Sequence, residues 1–199
     1  MSLLIWGLSC AVALADCPTN HVSTRGYQAG QPAAAADHLR SSQVTDVFVT
    51  LLEQQLVEAA DAMPANKYSF VPTTGEFKGV RSFGAQVKHL AATNYILAAA
   101  ALGQQPPKDA GDETGPESLR LKADILDYLR GSFRALHQAA QAIDEGNAIV
   151  RDVPISPLTG KATRLGYVEE ALLHTYDHYG QMVIYLRMNA VVPPASRQR

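Results

Sequence analysis

The sequence is poor in cysteine and in excess charge of either sign, and each shortage excludes a class of protein. Two cysteines among 199 residues are too few for a disulfide framework or a sulfur-rich structural zinc site. A formal net charge of −2 leaves no basic stripe for a phosphate backbone, so we exclude nucleic acid as a partner. A Ser/His/Asp order, a Gly-rich phosphate loop and an HExxH motif are also missing. Any chemistry must come from a different set of side chains.

The first part of the chain is an apolar run that is typical of a secretory signal peptide. The run covers residues 3–15 and ends in Ala-Leu-Ala, the small-x-small pattern of a signal-peptidase site. It is too short for a comfortable transmembrane helix, and a buried N-terminal helix is the alternative. We therefore expect a signal peptide at 1–15, a flexible Ala-, Gly- and Pro-rich linker at 16–40, and a periplasmic or secreted bacterial protein without stable membrane insertion.

Four later segments follow the 3.6-residue period of a helix, and none shows the alternation of a strand. They cover about 42–63, 83–103, 126–146 and 164–189. The first carries a predicted core stripe made of Phe48, Leu52, Leu56, Ala59 and Met63. Four amphipathic helices bury their stripes most economically as a four-helix bundle, so the sequence predicts an all-α domain. The three connections between these helices are longer than is usual in a bundle. They could therefore cross the ends of the bundle or form the mouth of a pocket.

Two histidines stand four residues apart in the fourth predicted helix. His174 and His178 share a stripe with Ala171, Met182 and Tyr185, so both imidazoles should face the core. The spacing is that of a helical chelate, and neutral imidazoles suit Zn²⁺, Ni²⁺ and Fe²⁺. A metal site and a pair of hydrogen-bonded core histidines are both open interpretations of this motif.

His89 in the second predicted helix is the best candidate for a third ligand. It shares an inward stripe with Gln86, Thr93, Ile96 and Ala100, whose side chains would leave space beside it. Three protein ligands leave a coordination position for water or substrate, as catalytic zinc sites do. A lone inward histidine is more often a hydrogen-bonded core residue, so that alternative stays open as well.

Several polar residues are candidates for supporting roles. Glu170 precedes His174 by four residues and could orient an imidazole, act as a base toward water at the metal, or become a fourth ligand. It is the weak catalytic candidate, since a solvent-facing acid is the commoner role. Asp177 and Gln181 flank the histidine pair and could bond the ligands, although surface roles are commoner. His137 lies off the apolar stripe of the third helix and is expected to face solvent.

The chain resembles the DinB-like family, the damage-inducible bundle proteins grouped with bacillithiol and mycothiol transferases. The resemblance covers about 42–196, and its most specific parts are KYSFVPT at 67–73, FGAQVKHLA at 83–91 and HTYDHYGQMVIYLRMNAVVPPAS at 174–196. It implies a four-helix bundle at 41–196 that holds a divalent metal ion. The ligands that it implies are His89, His174 and His178.

The resemblance also implies a class of activity. Some members are thiol-dependent transferases or isomerases, and many others have no assigned reaction. Because low-molecular-weight thiols belong chiefly to the reducing cytosol, predicted export favours metal-assisted hydrolysis. We expect Zn²⁺ or Ni²⁺, with Fe²⁺ as a further candidate, and an unidentified small-molecule substrate. The alternatives are a non-catalytic metal-binding or stress-related module and a purely structural bundle, and exposed helix faces leave a homodimer open.

Overall fold

The structure is a computed structural model, and it places four α-helices and three short 3-10 turns along the part of the chain that it describes. The described residues are 39–110, 112–144, 146, 156–157 and 162–197. The helices are α1 (Ser41–Ala62), α2 (Phe83–Leu102), α3 (Lys122–Gln141) and α4 (Arg164–Met188). No β-strand occurs among these residues, which confirms the predicted all-α class. The predicted signal peptide and nearly all of the predicted linker lie outside them.

The boundaries of α2 and the start of α4 follow capping signals in the sequence. The Ser82 side chain accepts a hydrogen bond from the backbone N–H of Ala85 and so caps the first turn of α2. Gly103 ends the same helix with a left-handed backbone conformation, at a φ of 68°. Thr163 caps α4 in the same way as Ser82 caps α2, by accepting from the N–H of Gly166. These caps fix where the two histidine-bearing helices begin.

The helices pack as a bundle in which α2 is the most buried element. Helix α2 packs chiefly against α3 and α4, and α1 packs against the same two helices, so α1 and α2 lie diagonally across the bundle. A run of small residues at 98–101 is buried on all sides, as expected for a helix that is apolar around its whole circumference. The apolar residues of the third predicted helical segment, which recur in steps of three and four, are buried: Leu126, Leu129, Phe133, Leu136, Ala140 and Ile143. The histidine stripe of α2 therefore faces α4 from inside the bundle.

The predicted core stripe of α1 was wrong at one residue, Phe48. Phe48 is 53% exposed, and its neighbour Val49 is fully buried in its place. The predicted stripe advances from Phe48 to Leu52 and Leu56 in steps of four residues. Each such step rotates around the helix axis by about 40° more than a full turn. The buried series Val49, Leu52 and Leu56 corrects this drift with a step of three, so the core side of α1 begins one residue later.

The prediction that His137 faces solvent was also wrong. His137 is half-buried between α3 and α1, with its Nδ1 2.6 Å from an oxygen of Asp46 and its Nε2 3.1 Å from an oxygen of Glu53. The partners lie seven residues apart on α1 and therefore on one side of that helix. His137 thus links two helices on the side of the bundle away from the α2–α4 contact.

No helix in the described ranges has both the length and the apolar character that crossing a membrane requires.

Candidate metal centre

Three histidines from two neighbouring helices converge inside the bundle. Nε2 of His174 lies 3.1 Å from Nε2 of His89 and 3.1 Å from Nε2 of His178. One nitrogen from each ring falls within 4.8 Å of the other two, and no other such histidine, cysteine or carboxylate group occurs in the described part of the chain. His89 and His178 are buried, and His174 is partly buried. The structure brings together the three residues that the sequence singled out, and they could hold one metal ion.

Two polar contacts, one buried and one partly buried, lie on either side of the histidines and fix how α2 and α4 align. On one side the Thr175 hydroxyl donates to the side-chain oxygen of Asn94 over 3.2 Å. On the other side the Gln86 amide donates to the side-chain oxygen of Gln181 over 2.9 Å. Buried polar groups must find partners, so these contacts oppose sliding or rotation of one helix against the other. The three imidazoles are therefore positioned by the bundle itself.

Hydrogen bonds alone cannot satisfy the three facing nitrogens. An imidazole nitrogen carries either one N–H or one in-plane lone pair, so Nε2 of His174 can bond only one of its two neighbours. A cation at the meeting point would accept a lone pair from all three rings. Nitrogens bound tetrahedrally at about 2.0–2.1 Å lie about 3.4 Å apart, close to the 3.1 Å seen between these atoms. The donor set therefore fits a divalent metal ion.

All three imidazoles are held in the neutral form that binds metals. Burial lowers the pKa of His174 to about 3, and the neighbouring histidines add to this effect. Burial lowers the pKa of His178 to about 4, again with a contribution from His89. Burial also lowers the pKa of His89, although the hydrogen bond to the Glu113 carbonyl opposes the shift. Protons therefore do not compete for these nitrogens at neutral pH.

A loop carbonyl orients the His89 ring. Nδ1 of His89 lies 2.7 Å from the backbone oxygen of Glu113, so Nδ1 carries the proton and Nε2 presents its lone pair to the other histidines. Glu113 has a φ of 75°, in the left-handed region that non-glycine residues rarely adopt. The same loop is tied to α2 where the Lys88 ammonium donates to the carbonyl of Pro116 over 3.0 Å. Sequence analysis missed Glu113 because a loop carbonyl leaves no periodic signal.

The amide of Gln86 contacts the corresponding nitrogen of His178. Its Nε2 lies 3.0 Å from Nδ1 of His178, while its own oxygen is buried without a hydrogen-bond partner. A half-turn of this amide would let the oxygen accept the Nδ1 proton, which is the tautomer that frees Nε2 for a metal. The exposed Gln181 can turn with it by giving up its 2.8 Å bond to Asp177. Gln181, one of the residues predicted to support the ligands, therefore reaches the histidines through Gln86.

Glu170 does not belong to the histidine group. Its carboxylate accepts a 2.6 Å hydrogen bond from the Ser156 hydroxyl. Burial raises the pKa of Glu170, and the Ser156 bond opposes that shift. Glu170 is not among the groups whose ligand atoms lie within 4.8 Å of one another. Its placement supports α4 packing against residue 156 rather than contact with a metal.

A cleft opens beside His178 at the surface between α4 and the loop that precedes α2. Its volume is about 370 Å³. Its lining includes the buried polar side chains of Gln86 and His178 and the exposed side chain of Arg81. Sequence analysis missed Arg81, because a single arginine in a loop has no spacing that ties it to a histidine on another element. The cleft gives a small molecule access to the side of the histidine group.

Comparisons with known proteins agree with this arrangement. The family model described as the DinB superfamily matches residues 49–182, a range that contains all three histidines. A solved structure titled as a conserved protein from Enterococcus faecalis has a similar fold, with a TM-score of 0.57 and 16% identity. That match covers 75% of this chain and 97% of the other. A search among curated proteins finds no significant match.

Proposed function

This chain belongs to the DinB superfamily, and on that premise we propose that it is a metal-dependent enzyme whose single divalent ion is held by His89, His174 and His178. The observation that carries the proposal is the meeting of three Nε2 atoms at 3.1 Å contacts that hydrogen bonds cannot satisfy. Imidazole ligands favour Zn²⁺ or Ni²⁺ and also suit Fe²⁺. No fourth ligand group joins them among the described residues, which leaves a position for water or substrate.

A divalent ion in such a site acts as a Lewis acid and activates a nucleophile near neutral pH. The chain's own residues supply the rest. Glu113 holds the His89 ring by its Nδ1 atom, which keeps the Nε2 lone pair aimed at the other histidines, and Gln86 contacts Nδ1 of His178. His89 and His178 are buried, and the cleft beside His178 gives a ligand access to the site. This arrangement supports hydrolysis or group transfer on a small molecule.

Export through the predicted signal peptide at 1–15 is part of this proposal and favours hydrolysis over thiol transfer. Its support is the apolar run that ends in Ala-Leu-Ala. Intact-mass analysis of the full chain expressed in a bacterium tests it. We expect a periplasmic or secreted product that begins at Asp16. A cytosolic product that retains residues 1–15 would contradict export without bearing on the metal site.

A second candidate is a non-catalytic metal-binding or stress-related module with the same ligands. It is favoured by the placement of two carboxylates that are candidates for a base, those of Glu113 and Glu170. Glu113 carries its carboxylate 3.8 Å from Nδ1 of His89, on the side of the ring opposite the meeting point. Glu170 is engaged by Ser156. Neither acid stands ready as a general base in this arrangement, as a hydrolase would use.

Cobalt substitution distinguishes the two candidates. Co²⁺ bound to three imidazoles and one exchangeable ligand should change its visible absorption spectrum when azide is added. We expect this change in the wild type, together with metal-dependent turnover on hydrolase or thiol-transfer panels that His174→Ala abolishes. His137→Ala, a histidine variant on α3, is the matched control and should keep both properties. A spectrum that azide leaves unchanged, together with inert metal-loaded protein on broad panels, would contradict the enzyme proposal and favour the module.

A further inference from the structure

Arg81 is the one charged side chain among the described residues that line the cleft beside His178. The lining also includes the apolar side chains of Phe77, Val80 and Ile184, and no carboxylate is part of it. The cleft therefore combines an apolar wall with a single fixed positive charge. Small-molecule sites commonly have this composition, in which a few polar groups orient a ligand that apolar groups hold.

The Arg81 guanidinium has no counterion among the described residues. It takes part in no salt bridge and no side-chain hydrogen bond there, whereas Arg130 pairs with Asp127 and Arg187 bonds the Ser196 hydroxyl. A planar guanidinium offers parallel N–H groups that match the two oxygens of a carboxylate or phosphate. An arginine that lines an apolar cleft without a protein partner is therefore suited to an anionic group of a ligand.

The backbone that carries Arg81 is fixed against α4. The Tyr185 hydroxyl donates to the Arg81 carbonyl over 3.1 Å. The Tyr185 ring packs edge-on against Phe70, with centroids 5.8 Å apart. The N–H of Phe83 returns to the carbonyl of Phe70 over 2.9 Å, which closes the loop at its base. This anchoring fixes the backbone from which the Arg81 side chain extends, so only the side chain itself has to be ordered when a ligand binds.

The cleft and the histidine group are adjacent. His178 belongs to both, as a wall of the cleft and as one of the three converging rings. Arg81 lines the same cleft, as does Gln86, whose Nε2 lies 3.0 Å from Nδ1 of His178. A molecule bound by Arg81 would therefore extend toward the proposed metal.

We infer that this cleft binds a small organic anion, with its carboxylate or phosphate group on Arg81, its apolar body against Phe77, Val80 and Ile184, and its reactive end toward the three histidines. The inference names the substrate class of the proposed function and rests on it. The cleft volume of about 370 Å³ lies within the range of about 300–1,000 Å³ that is usual for small-molecule sites. Neutral molecules of the same shape would lack the arginine contact and bind more weakly.

The test is an NMR titration of the full chain with matched probes. The probes are 2-naphthylacetate and its neutral analogue 2-naphthylacetamide, each added to metal-free and to metal-loaded protein. We expect the acid to bind at least about tenfold more tightly than the amide in both forms, since a charge-assisted pair is worth about one order of magnitude or more. A naphthyl phosphonate then shows which anionic group Arg81 prefers, and Arg81→Gln should weaken whichever is preferred.

The variants decide the outcome. Arg81→Gln should abolish the preference for acid over amide, and Lys78→Gln, which removes a positive charge from the same loop without lining the cleft, should preserve it. The inference is overturned if the amide binds the wild type as tightly as the acid, if Arg81→Gln keeps the preference, or if neither probe binds.

Metal content is measured on the same samples. Absent metal with an intact preference contradicts only the proposed function, and bound metal without a preference contradicts only this inference.

Discussion

The backbone oxygen of Glu113 accepts a 2.7 Å hydrogen bond from Nδ1 of His89 while Glu113 itself sits at a φ of 75°. A residue in a disfavoured conformation thus sets the tautomer of one proposed metal ligand. Strained backbone of this kind persists only where the surrounding contacts hold it in place, and it is found most often at functional sites. The loop after α2 is therefore part of the candidate site, although none of its side chains belongs to the histidine group.

Replacing Glu113 separates backbone strain from side-chain effects. Glu113→Gly should raise the free energy of unfolding above that of Glu113→Ala by about 0.5–1 kcal/mol, because glycine adopts positive φ without penalty. Both variants keep the carbonyl, so both should retain metal. Chemical denaturation and metal titration measure these two properties. A glycine variant less stable than the alanine variant would show that residue 113 is not held in the left-handed region in solution.

The Gln86 amide should control metal affinity through His178. Gln86→Leu keeps the size of the side chain but cannot bond Nδ1, so we expect metal affinity to fall by about tenfold or more. Gln86→Glu offers an acceptor for the Nδ1 proton and should retain or raise the affinity. Competition with a chromophoric chelator measures both constants, and circular dichroism checks the fold. Equal metal affinity in the wild type and in Gln86→Leu would contradict a role for Gln86 in metal binding.

Tyr185 should act on ligand binding by positioning Arg81. Tyr185→Phe deletes the hydroxyl that donates to the Arg81 carbonyl, and we expect 2-naphthylacetate to bind about fivefold more weakly, as one hydrogen bond would give. Metal content should not change. Tyr179→Phe removes a hydroxyl from the same helix away from the cleft and is the matched control. The anchoring role would be contradicted if both variants bound the probe like the wild type.

The His137 contacts predict a pH dependence of stability. Burial alone would lower the pKa of His137, but its bonds to Asp46 and Glu53 more than offset this, so its pKa is raised above 6.5. A raised pKa in the folded state means that the stabilisation is fully present below the unfolded pKa, near 6.5, and is lost as pH rises through the higher folded value. Its size should be about 1 kcal/mol or less, because all three side chains are partly exposed.

Unfolding of wild type and His137→Gln across pH 5 to 9 measures this effect. The wild type should be the more stable protein at low pH, and its advantage should shrink as pH rises above about 6.5. An advantage that stays constant or grows with pH would mean that the charged imidazole does not bridge α3 and α1.

The fold and the three histidines could be predicted from the sequence because both depend on helical periodicity. The spacing of His174 and His178 fixes their common side of α4, and the inward stripe of α2 carries His89 with it. Glu113 and Arg81 could not be predicted in this way. Each lies in a loop, and its role depends on which helix the loop packs against, which no local pattern encodes.

The two wrong expectations have physical causes of the same kind. Phe48 was misplaced because steps of four drift around a helix, and only packing against α3 and α4 decides which neighbour is buried. His137 was misplaced because its partners on α1 are more than eighty residues away in sequence. An ion pair between helices depends on the relative rotation of the helices. The position of Glu170 relative to the histidines was undetermined for a similar reason, since its partner Ser156 precedes α4.

The central claim is that three histidines hold one divalent ion, and elemental analysis of purified protein tests it most directly. Wild type, His89→Ala, His178→Ala and the control His137→Ala are each exposed to Zn²⁺ and Ni²⁺ and then dialysed. We predict about one ion per chain in the wild type and in His137→Ala, and far less in the two site variants. Wild-type protein without a stoichiometric ion, or site variants that hold as much metal as the wild type, would contradict the claim.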